Sequence, residues 1–374
     1  MRGYVRKRGK SYSFTIDIGR DPSTGQRKQK TKGGFKNSKD CEKAMNDMIH
    51  LLQHDEFVDT KKMMLKDFVE DWIEMEEMNY RPSTFSVYKS IINNRLIPAF
   101  GHAYVDELKP IDIQKYYNRM LKEGLTPKYI LSIHNVLRAL ISKSVTWEVA
   151  SKNVMDKVTP PKGKRKEMQT WTLEQSKQFL DHAKENTIIY PVFVLAIWTG
   201  MRKGEIYGLK WKDIDFENNR IQVNRTMAWA RGQGHILQDA KTDGSRRTIK
   251  ASDHVMSVLN SQLLKQKQIM MKLGERHQDD NLVFLSYNGK PMSMRHAGER
   301  LVQLSKELGL PRIRMHDLRH THATISLELK QHPKVVSERL GHKSIDITLD
   351  LYSHVTENLQ EESANEFERA MNQK

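Results

Sequence analysis

The chain predicts a multidomain α+β protein: a small N-terminal β-sheet plus helix, a four-helix domain, and a mainly helical domain carrying a small antiparallel sheet. Three observations predict it. The 374 residues exceed what one ordinary hydrophobic core organises. Period-two apolar patterns are confined to the stretch before Phe35 and to a short stretch after Asp213, while period-3.6 patterns fill most of the remainder. Residues 157–168 contain Pro160-Pro161 and then Lys162-Gly163-Lys164-Arg165-Lys166 without apolar periodicity, which reads as a basic linker. The expected divisions are 1–55, 63–155, the linker 156–168, and 169–374.

In the first division Tyr12, Phe14, Ile16 and Ile18 alternate with polar residues, residues 21–25 make a turn, and residues 27–35 return as a strand. Asn37 or Ser38 caps a helix whose apolar stripe is Cys41, Ala44, Met45, Met48, Ile49 and Leu52. Arg27, Lys28, Lys30 and Lys32 crowd the returning strand. A solvated face is the plain reading of that charge, and a basic two- or three-stranded sheet laid in a DNA groove is the sharper one.

The second division is all-helical. Leu65, Phe68, Val69, Trp72 and Ile73 make one stripe, and Tyr88, Ile91, Ile92 and Leu96 make another that ends before Pro98. Pro110 opens a third helix, closed by Gly124, and Pro127 a fourth through Ile133, Val136, Leu137 and Leu140. These stripes read as core. Arg81, Lys89, Arg95 and Lys128 could touch phosphate, though their spacing does not demand it.

In the third division Thr172 caps a helix, and residues 188–198 form a buried apolar helix ending at Thr199-Gly200. Arg202 and Glu205 follow at i and i+3, so the carboxylate can fix the guanidinium. Ile221 and Val223 mark a strand, and residues 241–249 read as a hairpin tip entering a second one. A lysine there, Lys241, could protonate a leaving oxygen if nearby positive charge lowers its pKa. His316, Arg319 and His320 share one face of a helix over residues 315–328. Gly341 stops the next helix, leaving His342 just past its end and Tyr352 on the following segment. Three imidazoles, a bidentate phosphate fork and a phenol together suit attack on a phosphodiester.

Lys+Arg of 62 against Asp+Glu of 46 gives a formal charge of +16, which favours a polyanionic partner, nucleic acid first and an anionic membrane surface second. No apolar run approaches the roughly 20 residues that span a bilayer, and the N-terminus lacks a signal-peptide core, so the expected location is cytoplasmic. Cys41, the single cysteine, excludes an internal disulfide framework and a Cys-rich zinc module. His316, His320 and His322 are poor zinc candidates, because no Glu follows the first His as in His-Glu-x-x-His.

The ordered set Thr199-Gly200-x-Arg202-x-x-Glu205, Lys241-Thr242-x-x-Ser245, His316-x-Leu318-Arg319-His320, Leu340-Gly341-His342 and Tyr352 resembles the tyrosine recombinases, specifically the integrases of phages and conjugative elements. The resemblance covers most of the chain: an arm-site-binding domain, a core-site-binding domain and a catalytic domain. It implies that Tyr352 forms a 3′-phosphotyrosyl link and that Lys241 protonates the released 5′-hydroxyl. Arg202 and Arg319 hold the nonbridging oxygens, His316 takes the tyrosine proton or positions the phosphate, and His342 adds a hydrogen bond, with Glu205 and His320 in support. On charge alone, the linker would gain phosphate contacts through Lys162, Lys164 and Arg165 as it crossed a duplex between two DNA-binding lobes, or it is a simple solubilising linker. No metal or other cofactor is implied. The implied partners are double-stranded attachment sites, three further copies in a tetramer, and DNA-bending and directionality factors. The tail with Leu359, Phe367, Ala370 and Met371 either packs on its own domain or docks on a neighbouring copy, the latter preferred. A DNA-binding regulator with a dead site and a type IB topoisomerase are the competing expectations.

Overall fold

In the computed structural model the described residues are 3–20, 25–53, 62–163, 168–230, 234–239, 246–273, 281–352 and 367–372, with 232 and 365. They fall in two compact units, Met1–Lys164 and Arg165–Lys374.

In the first unit β1 (Gly3–Arg8), β2 (Ser11–Arg20) and β3 (Arg27–Phe35) form an antiparallel sheet in the order β1-β2-β3. The alternating segment is therefore the central strand, and β1 is an edge that its own sequence announces weakly, because one of its two faces is polar and its apolar face holds only Val5. Asn37 Oδ1 accepts the Asp40 N–H at 2.8 Å and so caps α1 (Ser38–Gln53). The helix lays Cys41, Ala44, Met45, Met48 and Ile49 on Phe14 and Ile16. Residues 21–24 and the Leu52 side chain lie outside the described residues.

The helical part of this unit comprises α2 (Leu65–Glu76), α3 (Pro82–Ile91), α4 (Ile97–Phe100), α5 (Pro110–Lys122) and α6 (Pro127–Thr146). Leu65, Phe68, Val69 and Trp72 are buried as the stripe requires. The second stripe was expected to stop before Pro98, but a π turn over Ile92–Leu96 carries the chain straight into α4. Pro98 sits in the first turn of α4, where a missing N–H costs little, so the helix passes it and ends at Gly101. Val154, Met155 and Val158 are also buried in this core, so chain read as linker from residue 156 stays packed as far as Val158.

The second unit is built around α8 (Tyr190–Thr199), an apolar helix buried almost throughout, flanked by α7 (Leu173–Asn186), α9 (Lys203–Tyr207), α10 (Asp253–Leu273) and α12 (Asp317–Glu328). Thr172 and Gln175 close a reciprocal capping box at the start of α7. The strands are β4 (Ile214–Asp215), β5 (Arg220–Val223), β6 (Arg225–Ala230), β7 (Gly234–Asp239) and β8 (Arg247–Lys250). They make one sheet of order β4-β5-β8 and a separate hairpin, β6-β7, that the sequence did not announce. The hairpin sits on α9 because Gly208 presents no side chain: a Cβ there would lie 2.9 Å from the Met227 nitrogen. Helices α11 (Met294–Glu307), α13 (Pro333–Leu340) and α14 (Asp346–Tyr352) complete the unit, with α13 and α14 packed on α12. No described helix is long and apolar enough to cross a membrane.

Candidate active site

Two helix ends define the site. Gly200 closes α8 at φ 64°, and Gly341 closes α13 at φ 65°, both in the left-handed region that glycine adopts without strain. Left-handed caps turn the last carbonyls of a helix sideways, and arginines collect those carbonyls. Arg319, on α12 and only 2% exposed, donates from Nη1 to the Gly200 oxygen at 2.8 Å and from Nη2 to the Leu340 oxygen at 2.6 Å. Burial first, then the neighbouring Arg202 charge, presses its pKa below the usual guanidinium range.

Gly200 has no room for a side chain, since a Cβ would lie 2.7 Å from His322 Cδ2. Adding the penalty for a positive φ, Gly200→Ala is expected to cost about 2 kcal/mol or more. A urea-unfolding midpoint equal to the native one would refute this.

Arg202 stands at the entrance to α9 with its side chain 39% exposed, in contrast to Arg319. Its Nη1 donates to Glu205 Oε1 at 2.8 Å and its Nη2 to the Gly341 oxygen at 3.1 Å. The i,i+3 pairing expected from sequence is present, and Glu205 Oε2 also accepts the Arg202 backbone N–H at 2.8 Å. Glu205 is buried, which opposes its charge, but hydrogen bonds and charge from Arg247, with those of Arg202, outweigh burial and pull its pKa down to about 2. The carboxylate is thus ionised at all working pH values. Arg247 was not singled out from sequence. It grips both Glu205 oxygens, Nη1 at 3.0 Å and Nη2 at 2.8 Å, and its Nε donates to the Arg339 oxygen at 2.8 Å.

The imidazoles surround these cations. His316 precedes α12, exposed on one side, and meets His320 edge-on with ring centroids 4.9 Å apart. Loss of water on its inner side, then the charges of His320 and Arg319, lower its pKa. His320 is also lowered, by burial first and against the pull of Asp317. His342, after Gly341, shares a 2.8 Å hydrogen bond through Nδ1 with the buried Thr348 hydroxyl. Burial, then Arg319 and Arg202, push it down to about 4. All three rings are therefore neutral near pH 7 and can accept protons or hydrogen bonds. His322 belongs elsewhere: buried, it donates from Nδ1 to the Ile197 oxygen at 2.8 Å.

Tyr352 is the last residue of α14, which packs on α12 and α13, the helices that carry Arg319 and lead into His342. The Tyr352 side chain and the whole of Lys241 lie outside the described residues, as do Lys164 and Arg165. Arg202, Glu205, His316, Arg319, His320 and His342 belong to the elements that meet at the two glycine caps.

The candidate DNA-binding residues of the sheet divide between its faces. Lys30 and Lys32 pair opposite Ile16 and Phe14, on the side that α1 covers, and Arg27 donates to Asp17 at 2.7 Å. Lys28 pairs opposite Gly19, and its side chain lies outside the described residues. The face away from α1 carries Tyr4, Arg6, Thr15, Gln29 and Thr31, with Thr15 and Thr31 joined at 2.8 Å. Sequence reasoning missed this face because a run of lysines hides strand parity. Lys162 is exposed. In the helical part, Lys89 bonds Glu77 at 2.8 Å and Arg95 lies over the Tyr129 ring.

Residues 169–358 match the phage integrase family, residues 64–121 the N-terminal SAM-like domain of phage integrases, and residues 4–52 an arm DNA-binding domain. A tyrosine recombinase XerC-like protein of Caldanaerobacter subterraneus is 28% identical over 371 residues, covering 94% of each chain. The ICEBs1 integrase of Bacillus subtilis is 25% identical, covering 96% of each. A structure of the Tn1549 transposon integrase in complex with a circular intermediate DNA is similar in fold, with TM-score 0.66 at 23% identity over 77% of this chain and 94% of that one. So is a lambda integrase tetramer bound to a Holliday junction, with TM-score 0.56 at 18% identity over 93% of this chain and 94% of that one.

Proposed function

The chain belongs to the phage integrase family and is a tyrosine recombinase, a site-specific integrase of mobile DNA, and we propose that Tyr352 is its nucleophile. The phenolate oxygen attacks the scissile phosphorus, the bond from phosphorus to the 5′-oxygen breaks, and a 3′-phosphotyrosyl link forms. His316, held neutral, takes the phenol proton. Lys241 gives a proton to the departing 5′-oxygen. Arg202 and Arg319 neutralise the nonbridging oxygens as charge develops, where preorganised donors act most strongly, and His342 adds a hydrogen bond. Rejoining is the reverse: a 5′-hydroxyl from another strand attacks the phosphotyrosine and frees Tyr352. Bond energy is kept in the link, so exchange needs neither ATP nor a metal.

The observation that carries this reading is the pair of arginines tied to the carbonyls of two glycine-capped helix ends, with neutral imidazoles beside them. Its test is a denaturation-resistant protein-DNA adduct on nicked duplexes tiling the DNA that flanks the chain's own coding sequence, formed in EDTA. Sequence-specific binding without an adduct on any duplex would instead identify a binding protein. Relaxation of supercoils without site preference would identify a topoisomerase.

In this reading residues 1–55 bind arm sites, 63–155 bind core sites, 169–374 cut, and 156–168 join the core-binding and catalytic parts across the duplex. Four copies act on two attachment sites with DNA-bending and directionality factors, in the cytoplasm. The exposure of Phe367 and Met371, 70% and 72%, supports docking of the tail on a neighbouring copy.

For the arm-binding sheet, the open face supports base reading by Arg6, Gln29 and Thr31, with Lys30 and Lys32 reaching phosphate from the side. Arg6→Ala is expected to weaken arm-site binding by about 1–3 kcal/mol and relax sequence preference. Lys32→Ala is expected to lower affinity evenly across sequences and reduce its salt dependence. Competition binding of the full chain at several salt concentrations separates the two; equal behaviour would refute the assignment of faces.

A further inference from the structure

Six donor-acceptor contacts, four of them to the Glu205 carboxylate, form a closed circuit. Arg247 grips Glu205, Glu205 fixes Arg202 through both side chain and backbone, and Arg202 reaches the Gly341 oxygen. Arg247 also holds the Arg339 oxygen, two residues before Gly341, which closes the ring from the other side. Contact is close at that point: a Cβ on Gly341 would lie 3.1 Å from Arg247 Cδ, so the turn leading to His342 lies directly against the stem of this arginine. Without Arg247, Arg202 would be a partly exposed, rotamer-rich side chain bonded to a carboxylate whose one other hydrogen-bond donor among the described residues is the Arg202 backbone N–H.

We propose that Arg247 is a positioning residue: it sets the Arg202 guanidinium and the His342 turn in fixed relation through one shared carboxylate and one shared helix end. The inference rests on the reading that Arg202 and His342 act on the scissile phosphate. Arg247 itself touches neither phosphate nor leaving group in this account. Its side chain is only 8% exposed, and its guanidinium is engaged with Glu205 and the Arg339 carbonyl. Its effect is one of geometry and charge. Misplacing a reacting group by about 1 Å can cost about 100-fold in rate.

Charge supplies a distinctive readout. Facing the Glu205 carboxylate are Arg202 from the start of α9 and Arg247 from β8, and Glu205 in turn supports the charge of Arg319 on α12. With Arg247 present the carboxylate is ionised far below neutral pH. Removing that cation leaves burial opposed by Arg202 and Arg319 alone, so the carboxyl pKa rises and the group takes up a proton as pH falls. An anchor for Arg202 that is lost on the acid side should make catalysis fail on the acid side.

The test measures single-turnover adduct formation by the full chain on a nicked duplex carrying its attachment site, from about pH 8 to about pH 5.5, alongside DNA affinity and urea unfolding. Arg247→Met is expected to form adduct about 10- to 100-fold more slowly at pH 8 with affinity changed by less than about twofold, and its rate relative to native should fall further as pH drops. Glu205→Gln should lose rate by a factor that does not vary with pH, having no carboxyl to protonate. The double variant should be no slower than the slower single one, because both changes break one circuit. Arg247→Lys keeps the charge without the fork, so it should regain the native pH shape and only part of the rate. Losses that multiply in the double variant, or an Arg247→Met rate within twofold of native with an unchanged pH profile, would overturn the proposal. If Arg247→Met does not fold, Arg247→Lys combined with Glu205→Gln tests the circuit by coupling alone: the pair should be no slower than the slower single change, and losses that multiply would overturn the proposal. A Tyr352→Phe chain that still forms adduct would instead remove the reading of the site and leave the circuit's coupling intact.

Discussion

Tyr352→Phe is expected to bind attachment-site DNA as tightly as the native chain and to form no covalent adduct, a loss of at least about 10⁴-fold in cleavage. Phenylalanine keeps the ring and its helix propensity at the end of α14, so the substitution removes one oxygen and no backbone support. Arginine offers no nucleophile at neutral pH, and an imidazole adduct at phosphorus hydrolyses readily while a phosphotyrosine persists. Denaturing gels of nicked duplex read the result directly. An adduct of undiminished yield in the variant would show that another side chain attacks, and peptide mapping of that adduct would identify it.

Arg319→Lys is expected to be the second large effect, and it falls on two quantities at once. One ammonium cannot reach both the Gly200 and Leu340 oxygens that the guanidinium fork spans, so at least one buried carbonyl loses its partner at about 1–3 kcal/mol. Burial also presses the lysine toward its neutral form, removing charge from beside the phosphate. Adduct formation should fall about 10²- to 10³-fold, and the urea midpoint should drop with an unchanged slope. Arg202→Lys, at a side chain 39% exposed, should cost comparable rate and under about 1 kcal/mol of stability. If the two lysine variants unfolded alike, the distinction between a buried anchor and an exposed one would fail.

What could be read in the sequence depended on how far apart the partners are. The glycine that ends α8, the glycine that ends α13, the Thr172 cap and the Arg202–Glu205 spacing are all local signals, and each stands in the structure where its pattern put it. Arg247 was invisible because its partners lie 42 and 92 residues away, and because Arg246 beside it offers the same chemistry one position off. The hairpin of β6 and β7 was missed because its strands lack clean alternation, being held by the glycine face of α9 rather than by a second sheet. Pro98 misled for a physical reason: a π turn upstream lets a helix absorb a proline that an ordinary turn could not. Val158 was hidden in a basic, proline-rich run whose composition says linker while its side chain fills the core. Two strands of the N-terminal sheet and its helix were legible, β1 was not, and which lysines share a face with Thr31 required the strand register.

The oxygens that hold Arg202, Arg247 and Arg319 in place include those of Gly200, Arg339, Leu340 and Gly341, all of them main-chain carbonyls. A carbonyl is supplied by every residue type, so drift of the side chains at such positions leaves the acceptors intact. Constraint is transferred from chemical identity to chain path: two glycines must keep their left-handed turns, and α13 must keep its length. Evolution can therefore rewrite much of this surface to suit new DNA sequences, yet a single inserted residue between Pro333 and Gly341 would rotate the Arg339, Leu340 and Gly341 acceptors out of register at once.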